Sequence, residues 1–205
     1  MQRPTRMDPD RELVLACQAN PECGFQGAFR GLYDQFKDRV YNVCYRITAN
    51  PSDALDASQE TFGVVFRKIR DFRFESKFSS WVYRIAVNAS IDLKRRSQLR
   101  AGSSDGAAGR TNSNDLAQEL TEDEAHAPMA VASRHELEFE IERAIGRLSP
   151  KMRAIVVLRY IEELSYEDIS ETLSISIGTV KSRLARAHAA LDRELTPILD
   201  RHLLR

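Results

Sequence analysis

The sequence predicts an all-α fold made of two small helical domains, on the strength of three observations. Apolar residues recur at three- and four-residue intervals along most of the chain, the spacing of helices that bury one face. No stretch carries a convincing strand alternation or hairpin signal. Between the two periodic parts lies AGSSDGAAGRTNSNDLAQELTEDEAHAP, rich in Gly, Ser, Ala, Asn and acid. Such a segment has too little to bury to recover its ordering entropy, and it is expected to be a flexible linker.

The elements follow in order. Residues 1–24 form a helical lead-in, with a helix from Asp10 to Asn20 that places Leu13, Ala16 and Cys17 at helical spacing and stops before Pro21. The first domain, 25–97, opens with a helix from Phe25 to Thr48 whose apolar face is Phe29, Leu32, Phe36, Val40, Val43 and Ile47. Asn50-Pro51 punctuates the chain. A third helix starts near Ser52 with Asp53 in its first turn, where the helix dipole favours acid, and carries a stripe of Leu55, Phe62, Phe66 and Ile69. A basic and aromatic loop, Arg70 to Phe78, leads to a fourth helix from Ser79 to Ser97. The linker spans 98–134.

The second domain, 135–205, begins with Leu137, Ile141, Ile145 and Leu148 on one helix face. Ser149-Pro150 reads as an N-cap followed by proline at the first helical position, starting a helix through Tyr160. Ser165 with Asp168 resembles a capping box and opens a short helix to Leu173. After a turn at Ser174 to Ser176, a long helix runs from Ile177 to about Leu195.

Composition excludes several classes. Apolar residues make up 42% and charged residues 29%, as in a soluble globular protein. No apolar run reaches the ~18 residues of a membrane span, and MQRPTRMDPDRE lacks a signal-peptide core, so a cytoplasmic protein is expected. The three cysteines, Cys17, Cys23 and Cys44, lack CxxC spacing and are expected to be free thiols. No phosphate-binding Gly loop, HExxH or GxSxG occurs, so no catalytic residue, metal site or cofactor is expected.

Lys+Arg and Asp+Glu both number 30, yet the charge is segregated. Arg67 to Arg100 is strongly basic, the charged residues from Asp115 to Glu142 are nearly all acidic, and Lys181, Arg183 and Arg186 are basic again. Two basic zones around an acidic one suit a protein that grips a polyanion at two points.

The last two helices form a helix-turn-helix. On the second, Val180, Leu184, Ala187 and Leu191 face inward. Thr179, Ser182, Arg186, Ala189 and Arg193 face outward, flanked by Lys181 and Arg183. Hydroxyls, guanidinium forks and a small Ala are the parts that enter a major groove and grip its phosphates. In the first domain Asp56, Gln59, Glu60 and Gly63 share a helix face, placed opposite the Leu55-Phe62-Phe66 stripe, and suit docking on another helix. Arg73 and Lys77 interleave with Phe72, Phe74 and Phe78, a mixture that can hold single-stranded backbone and an unstacked base. At least one of these Phe residues is expected in the core, and Trp81 is expected to be a packing anchor. Lys94, Arg95 and Arg96 sit at a helix end where they can neutralise phosphates.

SPKMRAIVVLRYIEELSYEDISETLSISIGTVKSRLARAHAAL closely resembles the C-terminal DNA-binding domain of bacterial sigma factors, with Ser174 where a Gly commonly sits at the turn. DALDASQETFGVVFRKIRDF and SSWVYRIAVNASIDLKRR resemble region 2 of extracytoplasmic-function (ECF) sigma factors in the sigma-70 family. The resemblance lies in Ala54, Asp56, Gln59, Glu60 and Phe62, then Trp81, Ile85, Ala86, Asn88, Asp92 and Arg95; Leu55, Ala57 and Ser58 depart from the usual pattern. It implies a sigma factor that directs core RNA polymerase to promoters, usually under an anti-sigma factor. It implies that Asp56, Gln59 and Glu60 meet the clamp of the largest subunit, and that the chain also meets the flap of the second subunit. Arg73, Phe74, Lys77, Asn88, Lys94 and Arg95 would melt and hold the −10 element as single strand. Thr179, Lys181, Ser182, Arg183 and Arg186 would read the −35 element as duplex. Two other readings are a response-regulator-like transcription factor, which needs a sensing domain absent from the first hundred residues, and a nucleic-acid enzyme on a helical scaffold, which needs converging carboxylates or metal ligands.

Overall fold

The computed structural model describes residues 8–19, 27–103 and 128–203. Among them are helices α1 (Arg11–Ala19), α2 (Ala28–Thr48), α3 (Pro51–Lys68), α4 (Phe78–Ser103), α5 (Pro128–Arg147), α6 (Pro150–Tyr160), α7 (Tyr166–Leu173) and α8 (Ile177–Leu203), with a single 3-10 turn at Ile69–Asp71 and no strand. Helices α2, α3 and α4 pack mutually, and α1 lies along α2 and the 3-10 turn. The expected face of α2 is buried in full, joined by Cys44. Asn50 is a true cap: its side chain accepts the Asp53 N–H at 2.9 Å, and Pro51 occupies the first turn.

Two stripes sit differently from expectation. On α1 the buried residues are Val14 and Cys17, and Ala16 is exposed. On α3 they are Ala54, Ala57, Ser58, Thr61, Phe62 and Val65. Leu55 is 52% exposed and Phe66 44%, although Ile69 and Phe62 are buried as expected. The reason is steric. Small side chains let α3 approach its neighbours closely, and the Thr61 hydroxyl is satisfied by the Ala57 carbonyl at 2.7 Å. The large residues are thereby turned outward, Phe66 resting edge-on against Phe29 at 4.9 Å between centroids.

Helices α4 and α5 extend beyond expectation, to Ser103 and back to Pro128, so both enter the segment read as linker; residues 104–127, most of that segment, lie outside the described residues. Cys23 lies outside them too.

The two halves on either side of the linker are packed together. One apolar cluster runs from Val14 through Ile47 and Ala86 to Ile155, Leu158 and Ala187. Helix α6 causes this. Arg153 to Leu158 are all buried, so α6 has no wet side along that run and needs cover on opposite faces. It packs on α8 of its own half and on α2 of the other.

Arg153 seals the joint. It is buried, and its guanidinium donates to the carbonyls of Ile145 (3.1 Å), Leu148 (3.1 Å), Gly146 and, across the halves, Ile47 (2.6 Å). These carbonyls end α2 and α5, where the helix dipole favours a cation.

Candidate polymerase and promoter surfaces

On α3, Asp56, Gln59 and Glu60 are all exposed, and Gly63 is half-buried. Leu55 and Phe66 do not line the opposite face. At 100° per residue they fall beside Gln59, on the solvent side of the helix. The ridge is therefore amphipathic: carboxylates and an amide on one flank, two exposed apolar side chains on the other. Glu60 lies 3.6 Å from the Arg96 guanidinium, an exposed pair.

The basic-aromatic loop divides between core and surface. Phe72 and Phe78 are buried, and Trp81 packs tilted against both, at 5.1 and 5.7 Å between ring centroids, as an anchor does. Arg73 is exposed. Phe74 is half-buried with φ 57, a left-handed conformation rare for a bulky residue, and its ring has Phe72 on one contact and the Arg11 guanidinium at 4.4 Å on another. Lys77 donates to both Asp168 oxygens, at 2.9 and 3.1 Å, across the halves. Asn88 is exposed on α4, ten residues from the helix start and so roughly 15 Å along the axis from the loop.

Arg95 is exposed, as a phosphate contact requires. Lys94 is not free in the same way: its ammonium donates to the Thr48 carbonyl at 2.8 Å, closing the C-terminus of α2. Burial and the nearby Arg153 charge hold its pKa below the ordinary lysine value.

The helix-turn-helix follows the expected geometry. Ser165 accepts the Asp168 N–H at 3.0 Å and starts α7, and Ser174 makes the turn with φ 53. Ser176 then accepts the Thr179 N–H at 3.1 Å and starts α8. Val180, Leu184 and Ala187 are buried, and Leu191 half-buried. Lys181, Ser182 and Arg186 are exposed, with Thr179 and Arg183 half-buried at the flanks. Arg186 lies along the helix, donating to the Ser182 carbonyl at 3.2 Å. An exposed bond of that kind is worth about 1 kcal/mol, so redeploying the guanidinium costs little.

Between the halves lies a polar set that residue patterns did not single out. Glu162 is buried and accepts from Arg39 at 2.9 and 3.2 Å and from the Tyr83 hydroxyl. Arg84 donates to the carbonyls of Thr172 (3.0 Å) and Glu171 (2.9 Å), ending α7. The hydroxyls of Ser80 and Thr172 are buried without a partner. The one available signal was Arg153 within an otherwise apolar run. Among the described residues no group of His, Cys, Asp and Glu could hold a metal, and no helix is long and apolar enough to cross a membrane.

A capped helix-turn-helix packed beside a helical bundle with an exposed polar ridge is the two-part arrangement of helical DNA-binding proteins. Residues 32–100 match Sigma-70 region 2, and residues 138–191 match Sigma-70, region 4. The chain is 38% identical to the ECF RNA polymerase sigma factor SigW of Bacillus subtilis over 172 residues, covering 84% of this chain and 91% of that one. It is 31% identical to the RNA polymerase sigma-H factor of Pseudomonas aeruginosa over 192 residues, 94% of this chain and 96% of that one. The fold resembles that of CnrH, solved in complex with the cytosolic domain of CnrY, with TM-score 0.64 and 23% identity over 93% of this chain and 99% of that one. It also resembles the sigma factor RpoE of Bartonella quintana, solved with the anti-sigma factor NepR, with TM-score 0.60 and 20% identity over 82% of this chain and 96% of that one. The chain belongs to the ECF branch of the sigma-70 family. It is a transcription-initiation factor and not an enzyme.

Proposed function

We propose that the first half docks on the clamp of the largest polymerase subunit through Asp56, Gln59 and Glu60, with Leu55 and Phe66 supplying apolar contact beside them. The loop residues Arg73, Phe74 and Lys77, with Asn88, Lys94 and Arg95, then open and hold the −10 element. Thr179, Lys181, Ser182, Arg183 and Arg186 read the −35 element, and the second half meets the flap of the second subunit. The protein acts in the cytoplasm, under an anti-sigma factor that covers its polymerase-binding surfaces. The reading is carried by one observation: the recognition helix and the α3 ridge are both exposed in a chain of this family. Lys77 reaches DNA only if its pair with Asp168 separates, and Lys94 only if it leaves the Thr48 carbonyl. Promoter opening therefore requires the halves to part.

The test uses the full chain with its cognate core polymerase and a promoter selected from a random library by the wild-type holoenzyme. Asp56→Arg should weaken core association, since a reversed charge on the ridge meets the clamp first. Asn88→Ala should retain core binding and lose permanganate reactivity of promoter thymines, and a premelted bubble should rescue it selectively. Equal rescue of both variants would refute the division between docking and melting.

A further inference from the structure

Helix α1 lies outside the segment that matches region 2, and none of the residues assigned above to polymerase or promoter contact lies on it. Its polar residues nevertheless converge on the basic-aromatic loop. The Gln18 carboxamide donates to the Ile69 carbonyl at 2.9 Å and the Phe72 carbonyl at 2.8 Å, more than fifty residues along the chain. Asp8, just before α1, accepts the N–H of Phe78 at 2.7 Å, the first residue of α4. Asp8 is itself held by the Asp10 N–H at 3.1 Å, and Asp10 by the Gln35 amide at 2.6 Å. Gln18 thus fixes the entry of the loop and Asp8 its exit.

Between these ends the backbone is irregular, and Phe74 sits in the left-handed region. A bulky residue there persists only where its surroundings hold it. Two neighbours do so: the Phe72 ring at 5.0 Å and, from α1, the Arg11 guanidinium at 4.4 Å from the Phe74 centroid. A cation over an aromatic face is attracted by the ring quadrupole. The arrangement leaves Arg73 exposed beside a restrained Phe74, the pre-organised state that a loop needs if it is to take up an unstacked base without first paying to order itself.

We propose that α1 is a positioning element for promoter opening: Gln18 and Asp8 fix the ends of the Phe72–Phe78 loop, and Arg11 holds Phe74 in its left-handed conformation. The proposal rests on the loop being the melting element. It predicts that α1 governs the opening step and leaves docking on core polymerase unchanged.

The experiment uses the full chain, its cognate core polymerase and the same library-selected promoter, as duplex and with a premelted bubble. Gln18→Leu removes both donations, and Arg11→Ala removes the cation from an exposed position where folding is not at stake. Each should slow open-complex formation on duplex roughly three- to tenfold, the scale of one or two lost hydrogen bonds or one exposed cation–π contact. Core affinity should stay within twofold, and the premelted template should restore the rate. In a Phe74→Ala background, Arg11→Ala should have no further effect, because it acts through that ring. A purely structural helix would lower thermal stability and slow both templates equally; that result overturns the proposal, as does full additivity of Arg11→Ala with Phe74→Ala. Should Arg73→Ala and Phe74→Ala leave duplex opening unchanged, the loop reading itself falls. Should those two impair opening while Gln18→Leu and Arg11→Ala do not, only the role of α1 falls.

Discussion

Glu162→Ala tests how the two halves are joined. The Glu162 side chain is 4% exposed and serves two donors of different fate, Arg39 and the Tyr83 hydroxyl. Arg39 is 51% exposed, so on losing its partner it regains water, and the pair contributes no more than about 1 kcal/mol. Tyr83 is fully buried, and its hydroxyl would be left without an acceptor, at about 1–3 kcal/mol. The expected loss is therefore about 2–3 kcal/mol, most of it through Tyr83. Urea unfolding of the full chain, followed by helical circular dichroism and by the single tryptophan, Trp81, measures it. In a Tyr83→Phe background the same substitution should cost less than half as much, since no hydroxyl remains to be stranded. Small-angle scattering should show a more extended molecule for Glu162→Ala. An unchanged midpoint, or the same loss with and without the Tyr83 hydroxyl, would refute the assignment of Glu162 as the acceptor that closes the joint.

Other outcomes follow from the same geometry. Arg153→Ala should cost about 3–5 kcal/mol by equilibrium unfolding, because it strands carbonyls of both halves in the interior. Arg186→Ala should weaken upstream footprinting by about 1–3 kcal/mol and relax selection at one base pair of a randomised −35 element, with core binding unchanged. Burial alone would raise the Asp168 pKa, but Lys77 and the Ser165 cap outweigh it and hold it below 3.8. Its contribution is thus present above the unfolded value and lost as pH falls through the lower folded value, so acid titration below about pH 4 should loosen the α4–α7 joint, and Lys77→Met should remove part of that dependence. Tyr83, raised above its usual value near 10.0 by burial and by Glu162, acts at the other end: its proton is held more tightly in the folded protein, and stability should fall as pH rises beyond 10. Burial pushes the Cys44 thiol up to about 11, so iodoacetamide at neutral pH should leave it unmodified until the chain unfolds, as mass spectrometry of the labelled peptides would show.

The helical class, the caps at Ser149 and Ser165, and the recognition helix with its inner and outer faces were all legible in the sequence. They depend on local spacing and on side chains that reach their own backbone, which chain order alone specifies. The α3 ridge was legible in its polar members and misread in Leu55 and Phe66. Periodicity marks which residues are apolar, but the face that is buried depends on how closely neighbouring helices approach, and four small residues decided that. Tertiary structure alone brought Glu162 to Tyr83, Lys77 to Asp168, Arg84 to the end of α7 and Gln18 to the loop carbonyls. Each pair joins residues distant in sequence, and a lone polar residue carries no periodic signal that names its partner. The join between the halves belongs to the same class: α6 declares in sequence that it must be covered on more than one side, and only the packed chain shows that α2 covers it.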